Sequence, residues 1–213
     1  VLVAATVQDN PTHLPFFPLT VEYREKMYAA GKFPGGFIKR EGRPSDTEVL
    51  AARQIDRPLR PLFPDGFMHE TQIYCAIVSA DQQNNADMPS MLGASLSLNM
   101  SKIPFDTPVA GVRVGRLNGQ WVLNPTFEQL EYSDVDIVVA GTEKAITMVE
   151  GGAMEVPEDD LVEALEAAHQ GIKELIGIQK EILAAIEVPE TMDWTPSVEI
   201  TEDLKGKVED VIV

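Results

Sequence analysis

Apolar and polar residues along the first half of this chain follow two spacings, one typical of strands and one of helices. β-rich apolar runs predict strands over Val1–Val7, Leu19–Tyr23 and Thr71–Val78. Ser45 and Glu48 form a capping-box pattern that predicts the start of a helix, and prolines distort or end that helix near Leu59. Its helically spaced apolar positions are Val49, Leu50, Ala52, Ile55 and Leu59. A second helix, rich in small residues, is predicted over Met88–Met100.

The second half predicts two hairpins and one long helix. The paired strands are Val109–Leu117 with Gln120–Leu123, and Val135–Ala140 with Ala145–Val149. Asn118-Gly119 is the strongest two-residue hairpin signal. The long helix is predicted over Pro157–Leu183, and its single apolar stripe comprises Leu161, Leu165, Ala168, Ile172, Leu175, Ile178 and Ile182. From Glu187 the composition resembles a linker, and Ile200–Val213 begins a new amphipathic segment.

Length and composition indicate one globular core with a small appendage. The chain has 213 residues, of which 44% are hydrophobic, and its longest apolar runs are strand-sized rather than membrane-spanning. The single cysteine, Cys75, lies in an apolar run and predicts a buried thiol in a cytoplasmic protein. Because the sequence opens on a strand in progress, without a signal peptide or an initiating Met, we expect it to be part of a longer protein.

Charge is distributed unevenly along the chain. The formal net charge is −17, which argues against general affinity for nucleic acids. Residues 24–60 nevertheless contain nine Lys and Arg against five acids, a net charge of +4. A polyanion would be drawn to this stretch and repelled by the rest of the chain.

Two basic segments stand out within that stretch. The first combines an aromatic ring with cations in a loop bounded by glycine and proline: Phe37, Ile38, Lys39, Arg40 and Arg43. The second is helical and contributes Arg53, Arg57 and Arg60. Rings can stack on bases and cations can bind phosphates, so both segments are candidates for binding RNA. The alternative for the three helical arginines is pairing with Asp56 and neighbouring acids in a purely structural role.

These segments, in this order and at this spacing, resemble the first RNase PH-like domain of bacterial polynucleotide phosphorylases. Shorter colinear blocks extend the resemblance over nearly the whole chain: Phe16–Val21, Leu62–Pro64, Gly93–Ser95, Ile103–Phe105, Asn124–Thr126 and Val138–Glu143. The implied fold is α/β (α+β), RNase PH-like, with the ribosomal S5 domain 2-like architecture. The implied organisation is an RNase PH-like domain over 1–187, lacking its N-terminal part, then a linker and the truncated start of an all-α domain over 188–213.

The resemblance also implies a function. Such enzymes degrade single-stranded RNA from its 3′ end with phosphate, and the loop matching Phe37–Arg40 grips RNA in the channel of a homotrimeric ring. Other RNA-degradation proteins are implied as further partners, and no membrane. Two positions depart from the usual pair of aromatics and pair of arginines. Ile38 replaces the second ring, and Lys39 lacks the planar fork that binds phosphate with two hydrogen bonds.

Catalysis is expected outside this chain. In the family the phosphate pocket and the acids that hold Mg²⁺ (or Mn²⁺) lie in a second RNase PH-like domain, so we expect no metal bound here and an inactive chain when alone. Asp159 and Asp160 are interpreted as charges at a helix start rather than ligands. Two alternatives stay open: a non-catalytic RNase PH-like scaffold that binds RNA or partners, and an acidic α/β domain in which Phe37 and Ile38 are core residues.

Overall fold

The computed structural model describes residues 1–37 and 39–196. Its strands are β1 (Leu2–Pro11), β2 (Leu19–Glu25), β3 (His69–Ile77), β4 (Ala110–Leu117), β5 (Gln120–Leu123), β6 (Val135–Gly141) and β7 (Ile146–Ala153). Its α-helices are α1 (Asp46–Leu59), α2 (Asp87–Asn99), α3 (Phe127–Glu131) and α4 (Glu158–Ala184). Short 3₁₀ helices cover Met27–Ala30 and Arg60–Leu62. This is the predicted α/β class.

The first sheet has the strand order β1-β3-β2. β2 runs parallel to β3, so the chain must cross over between them, and α1 lies in that crossover. β1 is an antiparallel edge strand and continues to Pro11, four residues beyond its predicted end at Val7. Polar residues and proline are tolerated there because one side of an edge strand has no hydrogen-bonding neighbour.

The second sheet is antiparallel throughout, in the order β5-β4-β6-β7. Both predicted hairpins are confirmed. Asn118 and Gly119 join β4 to β5 with φ angles of 51° and 78°, the pair of positive values that a type I′ turn requires. β7 extends four residues beyond its predicted end at Val149, to Ala153.

The buried apolar residues form two clusters. One lies around α1 and α2, between the first sheet and Val138, Ala140 and Met148 of the second sheet, and the other lies between the second sheet and α4. The small residues of α2 permit close packing, since a Cβ on Gly93 would lie 2.6 Å from Val3 Cγ2. Cys75 is buried in the first core as predicted, and burial raises the pKa of its thiol to about 12.

Helix α1 confirms the capping box, because the Ser45 and Glu48 side chains each accept a hydrogen bond from the other's backbone N–H. Ile55 and Leu59 are fully buried as the spacing predicted. Val49 and Leu50, however, are 45% and 53% exposed, so the N-terminal turns of α1 present apolar side chains to solvent.

Helix α4 buries a different line of residues from the predicted stripe. Ala168 and Ile172 are buried as expected, but Ile178 and Ile182 are exposed, and Ile176 is buried in their place. The N-terminal turn is held by Arg116, which donates to Asp160 at 2.6 Å. Asp160 thus lies at the helix start, as the sequence indicated, with its carboxylate bound to an arginine.

A buried polar network joins α4 to α2 and to the start of β4. Gln179 is fully buried: its Oε1 accepts from Ser95 Oγ at 2.8 Å, and its Nε2 donates to the Val109 carbonyl at 2.8 Å. Ser95 Oγ also accepts from the Val109 N–H at 2.8 Å. The polar groups of both side chains are therefore paired, which is what makes their burial tolerable.

Beyond α4, the described part of the predicted linker lies against the first core. The Met192 N–H donates to the Lys102 carbonyl at 2.8 Å, and the Trp194 ring packs edge-on against Phe67 at a centroid distance of 5.4 Å. The helical segment predicted from Ile200 lies outside the described residues, as does Ile38. The division at 187/188 stays a prediction.

Candidate nucleic-acid interface

Residues 33–40, here named the basic loop, lie in the connection between β2 and α1. This connection leaves the carboxyl end of a parallel strand, the side on which open α/β sheets generally bind ligands. Gly36 turns the loop with φ 70°, a conformation that favours glycine. Apart from Gly36 itself and its two chain neighbours, no atom of the described residues lies within 4 Å of the position that a Cβ on Gly36 would take.

Both ends of the basic loop are anchored to Met27. The N–H of Lys32, just before the loop, donates to the Met27 carbonyl at 3.0 Å. Glu41, just after it, accepts from the Met27 N–H at 3.2 Å and from Lys26 Nζ at 3.0 Å. These contacts, led by the Lys26 hydrogen bond, hold the pKa of Glu41 below its ordinary value. The two ends of the loop are therefore held close together by their hydrogen bonds to Met27.

The chain after Glu41 is fixed by two further contacts. Arg24 donates to the Gly42 carbonyl at 2.9 Å, and Glu48 Oε1 accepts from the Glu25 N–H at 2.8 Å, which joins the start of α1 to the end of β2. Arg24 and Lys26 belong to the basic stretch counted in the sequence. In the structure they hold the base of the loop instead of facing solvent.

The described residues among those predicted from the loop are exposed to solvent. Phe37 is fully exposed, so it is not a core residue, contrary to the alternative in which the ring belongs to a hydrophobic core. Lys39, Arg40 and Arg43 are exposed and form no ion pair with any described residue. The structure thus brings one ring and three unpaired cations together on a single projecting segment.

Arg53 continues this surface onto α1. It is exposed, forms no ion pair within the described chain, and lines a cleft of ≈ 220 Å³ between β2 and α1. The cleft also contains Pro44, which directly follows Arg43, so it begins at the stem of the basic loop. Val49 and Ala52 give it an apolar wall.

The last two predicted arginines are paired with other residues of the fold. Arg57 forms an ion pair with Glu150 of β7, which ties α1 to the second sheet. Arg60 pairs with Asp56 at 2.9 Å and donates to the carbonyls of Phe17 and Leu19 at 2.9 and 3.0 Å. These contacts support the structural alternative for both residues, and a direct role in RNA binding stays a prediction.

One candidate residue was missed from the sequence. Phe33 begins the basic loop and is 86% exposed. The sequence did contain an indication that Phe33 is exposed, because this residue stands between Lys32 and the Pro34-Gly35-Gly36 turn. Without further context, however, an isolated phenylalanine is more often buried than exposed.

Acidic residues line a second, larger cleft of ≈ 630 Å³ between α1 and the second sheet. Each carboxylate there binds an arginine: Asp134 with Arg116, Asp136 with Arg113, and Glu150 with Arg57. Across residues 1–37 and 39–196, no group of three or more His, Cys, Asp and Glu side chains is placed to hold a metal ion. Within the same residues, no helix is long and apolar enough to cross a bilayer.

Comparison with known proteins assigns the family. The model of the 3′ exoribonuclease family, domain 1, matches residues 1–104, and that of domain 2 of the same family matches residues 107–171. The chain belongs to the 3′ exoribonuclease family. The two matches meet between α2 and β4, so each covers one of the two sheets, and the RNase PH-like fold predicted from the sequence is confirmed.

Curated members of this family are similar over almost the whole chain. A polyribonucleotide nucleotidyltransferase of Gemmatimonas aurantiaca is 58% identical over 211 residues, 99% of this chain and 29% of the relative. Proteins of the same name from Halalkalibacterium halodurans and Bacillus subtilis are 52% and 53% identical, over 98% of this chain in each case. The chain spans 29–31% of the length of these relatives.

Proposed function

We propose that this chain is the RNA-capturing part of a 3′-to-5′ phosphorolytic exoribonuclease. The reaction is attack by inorganic phosphate on the 3′-terminal linkage of single-stranded RNA, with release of a nucleoside diphosphate. The observation that carries the proposal is the basic loop, anchored at both ends to Met27, with Phe37 and the exposed cations Lys39 and Arg40 at its tip. The shared name of the relatives, a nucleotidyltransferase acting on polyribonucleotides, favours an enzyme over an inert scaffold.

The loop suits a strand that moves through the protein during degradation. Stacking on Phe37 is available to every base, and contacts from Lys39 and Arg40 to phosphates carry no sequence information. Arg43 and Arg53 would continue the contact along the cleft at the loop stem. Capture by this surface is therefore tolerant of sequence, as a degradative enzyme requires.

We place the bond-breaking chemistry outside this chain. The enzyme as a whole is expected to use Mg²⁺ or Mn²⁺, but the acids of the second cleft do not fit such a site, because each carboxylate is already bound to an arginine. The described residues therefore contribute binding and assembly. In a homotrimeric ring, the loops of three copies would surround one RNA path.

The proposal is tested by measuring RNA affinity against salt. Replacing Lys39, Arg40 and Arg43 by Ala in the 213-residue chain should weaken binding of a labelled single-stranded RNA, whatever its sequence. If each cation neutralises one phosphate, the slope of log affinity against log salt should become shallower by about 2, at roughly 0.7 per phosphate on single strands. The measurement is fluorescence anisotropy at several salt concentrations.

The matched control removes three cations from elsewhere, with Lys144, Lys173 and Lys180 replaced by Ala. They lie in the β6–β7 turn and on α4, and their loss changes the net charge equally. The control should retain most of the affinity and the salt slope of the original chain. Equal losses of RNA affinity in both variants would show that net charge alone causes the effect. An unchanged affinity in the loop variant would show that the loop does not bind RNA.

A further inference from the structure

Phe33 is a large apolar side chain that the fold leaves in water. Burying a phenylalanine side chain stabilises a folded protein, so 86% exposure forgoes a substantial gain. Phe37, four residues on, is fully exposed as well. One eight-residue loop thus carries two exposed rings, each of which offers an apolar face to a ligand with flat apolar groups.

Phe33 and Phe37 lie on the same short loop, only four residues apart. Lys32 is fixed by its hydrogen bond to Met27, so Phe33 is the first residue that leaves the anchored base. Pro34 disfavours helical backbone at Phe33, and Gly36 then reverses the chain before Phe37. Four residues span at most about 14 Å, so both rings lie within reach of one bound strand.

The cations near the two phenylalanines indicate which kind of ligand the loop binds. Lys32 directly precedes Phe33, and Lys39 and Arg40 closely follow Phe37, so each ring has a cation near it in the sequence. None of these cations forms an ion pair with the described residues. A base on each ring with a phosphate beside it satisfies both features, whereas an apolar protein segment would leave the cations without partners.

We propose that Phe33 is a second base-stacking residue, so that the basic loop holds two nucleobases of a single strand, one on Phe33 and one on Phe37. The inference rests on the proposed RNA capture and deepens it. Phe33 is here proposed as a residue that binds the RNA strand and takes no part in breaking the bond.

The test compares Phe33→Ala, Phe37→Ala and Phe16→Ala in anisotropy titrations with oligoadenylate. Phe16 is the matched control: it is 58% exposed in the β1–β2 connection, with no Lys or Arg within four residues. The loss of one stacked base should lower affinity about 5- to 150-fold in each loop variant and leave Phe16→Ala unchanged. Neither loop variant should change the salt slope, because no phosphate contact is removed.

A conservative variant separates stacking from structure. Phe33→Trp should bind like the original chain, and its added indole fluorescence should be quenched by oligoadenylate, whereas Phe33→Leu should bind as weakly as Phe33→Ala. Full affinity in Phe33→Ala, alongside weak binding in Phe37→Ala, would overturn this inference and leave the proposed function standing. Full affinity in both ring variants and in the triple cation variant would overturn both. A change in sedimentation without a change in RNA binding would make Phe33 an assembly contact.

Discussion

The Glu41 carboxylate accepts a hydrogen bond from Lys26 Nζ at 3.0 Å, and through it the end of the basic loop is fastened to the chain that leaves β2. Its other oxygen accepts from the Met27 N–H. Both side chains are only about a quarter exposed, so the pair is partly shielded from solvent. The tip that we propose to bind RNA is therefore held at its base by an acidic residue, whose own charge would repel RNA.

The first prediction is that acid loosens the loop base. The Lys26 hydrogen bond lowers the pKa of Glu41, so this contact stabilises the fold fully above the ordinary glutamate pKa of about 4.3 and is lost as pH falls through the lower folded value. The Met27 amide resonance should report that transition in an NMR titration. Glu41→Gln should abolish it, and an unchanged titration in that variant would assign the acid response to another group.

The second prediction separates two arginines of α1. Arg60→Ala should lower the free energy of unfolding by roughly 1–2 kcal/mol, because the Phe17 and Leu19 carbonyls and Asp56 lose a donor. Arg53→Ala should leave stability unchanged and weaken RNA binding, since Arg53 forms no ion pair within the described chain. Urea unfolding and anisotropy on both variants check this. A destabilised Arg53→Ala would show that Arg53 is structural.

The third prediction concerns the buried network around Gln179. Gln179→Met keeps the length of the side chain but leaves the Val109 carbonyl and the Ser95 hydroxyl without this partner. The expected cost is roughly 1–3 kcal/mol in the free energy of unfolding, measured in urea. Gln170→Met, at an exposed position of the same helix, is the control and should be neutral. Equal midpoints for the two variants would contradict the importance of the network.

The fourth prediction is that the chain alone is not catalytic. Given poly(A), phosphate and Mg²⁺, the purified 213-residue chain should release no nucleoside diphosphate, whereas the longer enzyme should. The physical reason is that the acids of the second cleft are bound to arginines and leave no carboxylate cluster for a metal. ADP above background, in a preparation free of host enzyme, would place the catalytic centre in this chain.

The fifth prediction concerns assembly. Val49 and Leu50 on α1 and Ile178 and Ile182 on α4 expose apolar side chains, which ring neighbours or a second domain would cover. The isolated chain should therefore self-associate despite its charge, and Leu50→Glu should weaken that association if α1 is part of the contact. Sedimentation velocity at rising concentration measures both. A monomer at every concentration would count against the ring.

Local signals in the sequence determined most of the secondary structure. The Ser45–Glu48 capping box, the Asn118-Gly119 turn and the limits of α4 depend on neighbouring residues, and the structure reproduces them. Helix α3 was missed, although its Thr126–Gln129 capping box was present, because five residues are too few to show periodicity. The exposure of Phe37 also followed from its setting among glycines and cations.

Tertiary structure decided which of the predicted residues are available to a ligand. The sequence shows nine cations between Arg24 and Arg60, but only long-range contacts assign Arg24 and Lys26 to the loop base and Arg57 to Glu150. Similarly, the apolar stripe of α4 predicted burial of Ile178. In the structure, Ile176 and Gln179 are the buried residues instead. The reason is that periodicity defines only an apolar face of the helix, whereas the packing of the sheet and the other helices decides which part of that face is buried.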